Sequence, residues 1–154
     1  MRMKHVIING CFDCFHSGHQ HLLDKAFDMS RKWVIILLND DFSIEQLKGR
    51  KPIDSYEVRK AKIHEYCKKN HSCYGPPYYQ IHDFCTETEL SVLMDRFAPD
   101  IILKGNDRPD VREITGSDKW PVCIIPRIKD KNNNDISTTR IIKEGKHEEE
   151  INTK

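Results

Sequence analysis

Charge of one sign is missing from this 154-residue chain: 25 Lys and Arg stand against 24 Asp and Glu, for a net charge of +1. Without a global field there is no general attraction to nucleic acid or to a membrane surface, so neither is expected as a partner. Any anion must be gripped locally. Long hydrophobic runs are missing as well. None approaches the roughly 20 residues a bilayer helix needs, which excludes a helical membrane span. A secretory signal core is absent, because Met1 to Lys4 lead only into the short stretch Val6 to Ile8; a cytoplasmic protein is expected. The length itself excludes a second independent core. Six cysteines are present, yet a chain with its own core does not need disulfides, and they are read as thiols.

What is there is enough apolar material, 38% of residues, for one core in a highly charged chain. His5 to Gly10 is a short apolar run ending in Asn-Gly and Trp33 to Leu38 a continuous one, the pattern of strands buried on both faces. Between them Leu22, Leu23, Ala26 and Phe27 recur at helical spacing. Asp54 with Glu57 reads as a capping box opening a helix to Tyr66, with Val58 and Ala61 inward. Residues 68–77 carry Asn, Gly and two prolines and read as a loop. Tyr78 to His82 reads as a strand. Thr86 with Glu89 opens another helix, whose Leu90, Leu93, Met94 and Phe97 share one face. Asp100 to Lys104 and Pro121 to Ile125 complete five strands. The class is α/β: a single Rossmann-like domain with a five-stranded parallel sheet and helices on both faces.

Such sheets bind ligands at the carboxyl ends of their strands. Four polar segments follow the strands: Cys11 to His19, Asn39 to Pro52, Gly105 to Pro109 and Pro126 to Thr139. One shared site built from them is the simplest expectation. In the first, His16 and His19 flank Gly18 at the start of a helix, beside backbone N–H groups that suit a phosphate. Several of these features have plainer readings. Cys11, Cys14, His16, His19 and His21 are zinc-ligand types, although no second ligand pair at ribbon spacing accompanies them. His21 fits a helix surface. Lys48 to Lys51 alone would be a solvated loop, and Ser137 to Thr139 alone an ordinary N-cap. Trp33 and Met94 fit the core, and Trp120 a sheet edge.

Taken together, Gly10-x-Phe12-Asp13-x-x-His16-x-Gly18-His19 and, further on, Ile136-Ser137-Thr138-Thr139-x-Ile141-Ile142 resemble the HxGH and ISTTxII signatures of the cytidylyltransferase-like nucleotidyltransferases. The resemblance covers nearly the whole chain and assigns residues 1–143 to the nucleotidyltransferase domain; residues 144–154, polar and carrying Glu148 to Glu150, read as a frayed or disordered tail. It implies that a phosphate on an acceptor attacks the α-phosphate of a nucleoside triphosphate and that pyrophosphate leaves. His16 and His19 would stabilise phosphate charge, with Lys48 and Lys51 closing on the triphosphate. The nucleotide would meet Gly10, Cys11, Phe12, Gly18, Lys104, Gly105, Asp107, Ser137, Thr138 and Thr139. The acceptor would meet Asp13, Lys51, Arg59 and Arg127. Magnesium is implied as a companion of the triphosphate, with no dedicated protein metal site. A homodimer is implied by the habits of the family.

Asn9-Gly10-Cys11-Phe12-Asp13, Leu47-Lys48-Gly49 and Leu103-Lys104-Gly105-Asn106-Asp107 resemble the heptose-1-phosphate adenylyltransferase that makes ADP-heptose. Ile114-Thr115-Gly116-Ser117 adds to that likeness. Ser55 to Lys60 and Pro126-Arg127 look instead like glycerol-3-phosphate cytidylyltransferase. Adenylyl transfer to a heptose 1-phosphate-like acceptor is the expectation, cytidylyl transfer to glycerol 3-phosphate the alternative. A non-catalytic nucleotide-binding or zinc-organised interaction domain is the alternative of another class.

Overall fold

The unbroken apolar runs become the centre of one sheet. In the computed structural model, which describes residues 3–71, 75–105 and 110–126, the strands are β1 (Met3–Gly10), β2 (Ser30–Asn39), β3 (Tyr78–Phe84), β4 (Ile101–Gly105) and β5 (Val122–Ile125). All four pairings are parallel, in the order β3-β2-β1-β4-β5. The helices are α1 (Ser17–Met29), α2 (Asp41–Lys48), α3 (Tyr56–Asn70) and α4 (Glu87–Phe97). This is the α/β architecture the strand pattern implies.

Alternation along the strands divides the core into two layers. Val6, Ile8, Val34, Ile36, Leu38, Ile101 and Leu103 pack against Leu22, Leu23, Ala26 and Phe27 of α1 and Ile63 and Cys67 of α3. Ile7, Ile35, Leu37 and Ile102 face Leu90 and Met94 of α4. Each fully buried Ile or Leu stabilises the fold by about 1.5–3 kcal/mol. Trp33 and Trp120 are partly buried against the α4 layer, while Met94 is fully buried.

Several expectations need correction. The stretch after β2, read as all loop, contains α2, opened by Asp40, whose Oδ1 accepts the Ser43 amide at 2.7 Å, and closed by Gly49 at φ 67°. Its caps carry it; only Ser43 and Ile44 are buried, too few for a visible apolar period. The cap of α3 is Ser55 rather than Asp54, whose carboxylate instead meets Lys62 at 2.7 Å. Consequently the face turned inward carries Arg59, Ile63 and Cys67, and Val58 and Ala61 are exposed. Finally, α3 runs on through Asn70, into the segment expected to be loop. In the Thr86 box, the hydroxyl accepts the Glu89 amide as expected, but the Glu89 carboxylate takes the amide of Cys85, one residue earlier than the expected partner.

The turn at residues 115–119 closes the α4 layer, and Gly116 sits in it at φ 90°. A Cβ there would come within 2.8 Å of Met94 Sδ and 2.9 Å of Ile102 Cδ1. Gly116→Ala is therefore expected to cost about 1–3 kcal/mol through backbone strain and overpacking. Thermal melting followed by circular dichroism checks this; an unchanged midpoint would contradict it.

Candidate active site

The chain leaves the central strand β1 in both directions, outward through β2 to β3 and then back across to β4. Where strand order reverses, the crevice outside the carboxyl ends is the ligand site of open parallel sheets. Residues 11–16, the start of α2 and the end of β4 border it.

His16 occupies the N-cap of α1, a position that Ser, Thr, Asp or Asn usually takes. Its Nδ1 accepts the Gly18 amide at 3.0 Å, and the Nδ1 of His19 accepts the His16 amide at 3.2 Å. Two imidazoles thus form a capping box. Because each Nδ1 is an acceptor, a neutral ring carries its proton on Nε2. The rings stack, with centroids 3.8 Å apart and planes 21° from parallel. Phe12 and Phe15 flank His19 at 5.1 and 6.0 Å. Burial, with His16 and Lys48 adding to it and Asp13 opposing, brings the His19 pKa down to about 3. At neutral pH His19 is a hydrogen-bond donor, not a cation. The first turn of α1 holds no acidic side chain, so its positive end is open to an anion.

The turn that delivers these rings is strained: Phe12 and Cys14 adopt φ 53° and 54°. Asp13 holds it. Its buried carboxylate accepts the amides of Cys14 (3.0 Å), Ile53 (2.8 Å) and Asp54 (2.9 Å) and lies 3.4 Å from Arg50 Nη1. Burial alone would raise its pKa; the amides of Asp54 and Ile53, the Arg50 guanidinium and the Cys14 amide outweigh burial and hold it below the ordinary carboxylate value.

Arg59, fully buried, ties the remaining segments together. Its Nη1 donates to the carbonyls of Cys11 (2.8 Å) and Asn39 (2.7 Å), Nε to that of Asp54 (3.1 Å), and Nη2 to Asp41 Oδ1 (2.8 Å). The sequence assigned Asp13 and Arg59 to the acceptor. In the structure the hydrogen bonds described for both go to the chain itself, at the segments that border the site.

Three cations bear on the end of β1. Lys48, Arg59 and Lys104 all favour the Cys11 thiolate, yet burial prevails and the thiol pKa is raised. Cys11 is therefore no activated nucleophile. Lys48 ends α2 and is exposed, and its charge reaches His19 as well. Lys104 Nζ donates to the Asn9 carbonyl at 3.0 Å. The structure thus places Gly10, Cys11, Phe12, His16, Gly18, His19, Lys48, Lys104 and Gly105 on the segments at the carboxyl ends of β1, β2 and β4. Lys51 is exposed on the segment that Asp13 ties down two residues further on. Asp107, Arg127, Ser137, Thr138 and Thr139 lie outside the described residues, as do the tail and the stretch 128–134. Asn39 and Asp41, the outer partners of Arg59, were not picked out from sequence; the one signal was an Asn-Asp-Asp cluster at a strand end. Among the described residues no group of three or more His, Cys, Asp or Glu could hold a metal ion.

The Cytidylyltransferase-like family matches residues 7–144. The chain belongs to this family. Curated relatives include the bifunctional protein HldE of Campylobacter concisus, 32% identical over 148 residues, covering 87% of this chain and 29% of that protein. HldE of Helicobacter hepaticus is 34% identical over 116 residues, covering 75% of this chain and 22% of its own length. The chain thus spans less than a third of these curated relatives. A solved structure, the lipopolysaccharide core biosynthesis protein from Thermoplasma volcanium, superposes with a TM-score of 0.57 at 23% identity, over 80% of this chain and 95% of that one. At that identity the likeness is one of fold.

Two outcomes follow from this cytidylyltransferase-like site. Removing the Arg59 donors leaves three buried carbonyls short of a partner, so Arg59→Met should lower stability by about 3 kcal/mol, read from urea unfolding. His19 has a folded pKa of about 3, below the ordinary histidine value of about 6.5. The unfolded chain then binds the extra proton first, and stability falls as pH drops from about 6.5 toward 3. In His19→Asn that fall should be shallower. Melting midpoints measured from pH 7.5 down to pH 4 decide it, and equal slopes for both proteins would refute the assignment.

Proposed function

We propose that this chain transfers the adenylyl group of ATP to a heptose 1-phosphate-like sugar phosphate, releasing pyrophosphate. The observation that carries the reading is the double-imidazole capping box at the head of α1. Both Nδ1 atoms accept backbone amides, so a neutral ring carries its proton on Nε2, and the Nε2–H of neutral His19 is a donor suited to a phosphate oxygen. Charge on the α- and β-phosphates grows as the Pα–O bond to pyrophosphate breaks and a bond forms from an acceptor phosphate oxygen to Pα. Donors already fixed in place stabilise that charge without reorganising. Lys48 and Lys104 add positive charge at the end of β1, and Asp13 and Arg59 keep the segments in register.

The relatives named HldE support the adenylyl and heptose choice over the cytidylyl alternative. Magnesium carried by the triphosphate, a homodimeric state and a cytoplasmic location belong to the same proposal. The ion would come with its nucleotide, bridging triphosphate oxygens.

The test pairs each nucleoside triphosphate with a panel of sugar and polyol phosphates in the presence of magnesium and follows pyrophosphate release. Turnover is expected with ATP and a heptose 1-phosphate. Turnover only with CTP and glycerol 3-phosphate would replace the reading, and none with any pair would end it. His19→Ala should reduce kcat at least ~100-fold, comparable to losing one preorganised oxyanion donor.

A further inference from the structure

Asn9 ends the apolar core of β1 with a carboxamide oxygen that the fold leaves unused. Its Oδ1 is buried and has no hydrogen-bond partner among the described residues. Its backbone carbonyl, by contrast, accepts from the Lys104 ammonium at 3.0 Å. Buried amide oxygens are nearly always partnered, so a bare one in a candidate site calls for a reason.

Its place supplies one. Side chains alternate along a strand. Ile7 and Ile102 belong to the layer under α4; Asn9 and Lys104, each two residues further on, therefore lie on that face. The imidazoles stand at the head of α1, which packs with Ile8 on the opposite face. The end of β1 separates an α1 side from an α4 side. In displacement at phosphorus the attacking and leaving oxygens are roughly in line. If the leaving pyrophosphate is stabilised at the α1 side, the attacking phosphate and the body that carries it approach from the α4 side, past Asn9 and Lys104.

We propose that Asn9 is a specificity residue for the acceptor, its carboxamide hydrogen-bonding a hydroxyl of a polyhydroxylated sugar phosphate while the nearby Lys104 charge favours the phosphate. The inference rests on the transferase reading above. A hydroxyl both donates and accepts, as a carboxamide does, and its proton is what the bare Oδ1 lacks. A site built to bond a hydroxyl discriminates against the analogue without it, because its own polar group is then left unpaired.

Steady-state pyrophosphate release by the parent chain and Asn9→Leu tests this, with Asn9→Ala in reserve should the Leu variant fail to fold. In Asn9→Leu the KM for the sugar phosphate should rise at least about tenfold while the KM for ATP stays within about twofold. The melting midpoint should not fall, because the substitution removes a bare buried acceptor. Acceptors lacking single hydroxyls give a readout that a merely structural role would not move: one should be disfavoured by the parent and tolerated equally by the variant. A raised KM for ATP alone, or no change in either KM, overturns the inference and leaves the transferase reading standing. A parent protein that releases no pyrophosphate with any pair overturns both.

Discussion

The buried guanidinium of Arg59 is the constraint on which the rest of the site depends. Ends of parallel strands leave carbonyls without ladder partners, and here those of Cys11 and Asn39 converge on one side chain of α3. The same group reaches the Asp54 carbonyl and the first residue of α2. Four acceptors from three stretches of the chain thus share one planar donor. Lys could not replace it, since three donors around a point do not match four acceptors spread about a plane. Asp13 does the complementary work for amides, collecting those of Cys14, Ile53 and Asp54. A cation that satisfies carbonyls and an anion that satisfies N–H groups lock the turn after β1 to the segment before α3.

Within that frame the His19 imidazole is held neutral. With ring centroids 3.8 Å apart, two imidazolium ions would repel strongly, and burial adds to the penalty at His19. The neutral His19 ring, with Nδ1 engaged, presents a directed Nε2–H donor. Positive charge comes instead from Lys48 and Lys104, helped by the head of α1. A chain whose charges balance to +1 overall can therefore still present a strongly anion-selective crevice.

Much of the sheet was legible because a strand buried on both faces must be apolar throughout, as Trp33 to Leu38 is. Likewise Leu22, Leu23, Ala26 and Phe27 announce α1 through their spacing. The eight residues of α2 do not announce themselves, since their caps rather than an apolar face carry them. The inward face of α3 was misjudged for a related reason: its largest buried side chain is Arg59, a residue type that sequence reasoning places in solvent. His16 and His19 stood out by their spacing around Gly18, but their tautomers did not, because those depend on which backbone amides come within reach.

By itself the sequence determined the parallel α/β layering, the position of the histidine pair at a strand-to-helix turn and the family to which the chain belongs. These follow from local periodicity and from contiguous motifs. Only the tertiary structure decided that Asp13 and Arg59 bond to distant parts of the chain, that burial raises the Cys11 thiol pKa and that the Asn9 Oδ1 is left without a partner. Each of those outcomes turns on burial and on hydrogen bonds between residues roughly 40 or more positions apart, such as Arg59 with Cys11 and Asp13 with Ile53. No local pattern encodes such distances; folding brings the groups together, and the cost of leaving them unpaired sets their roles.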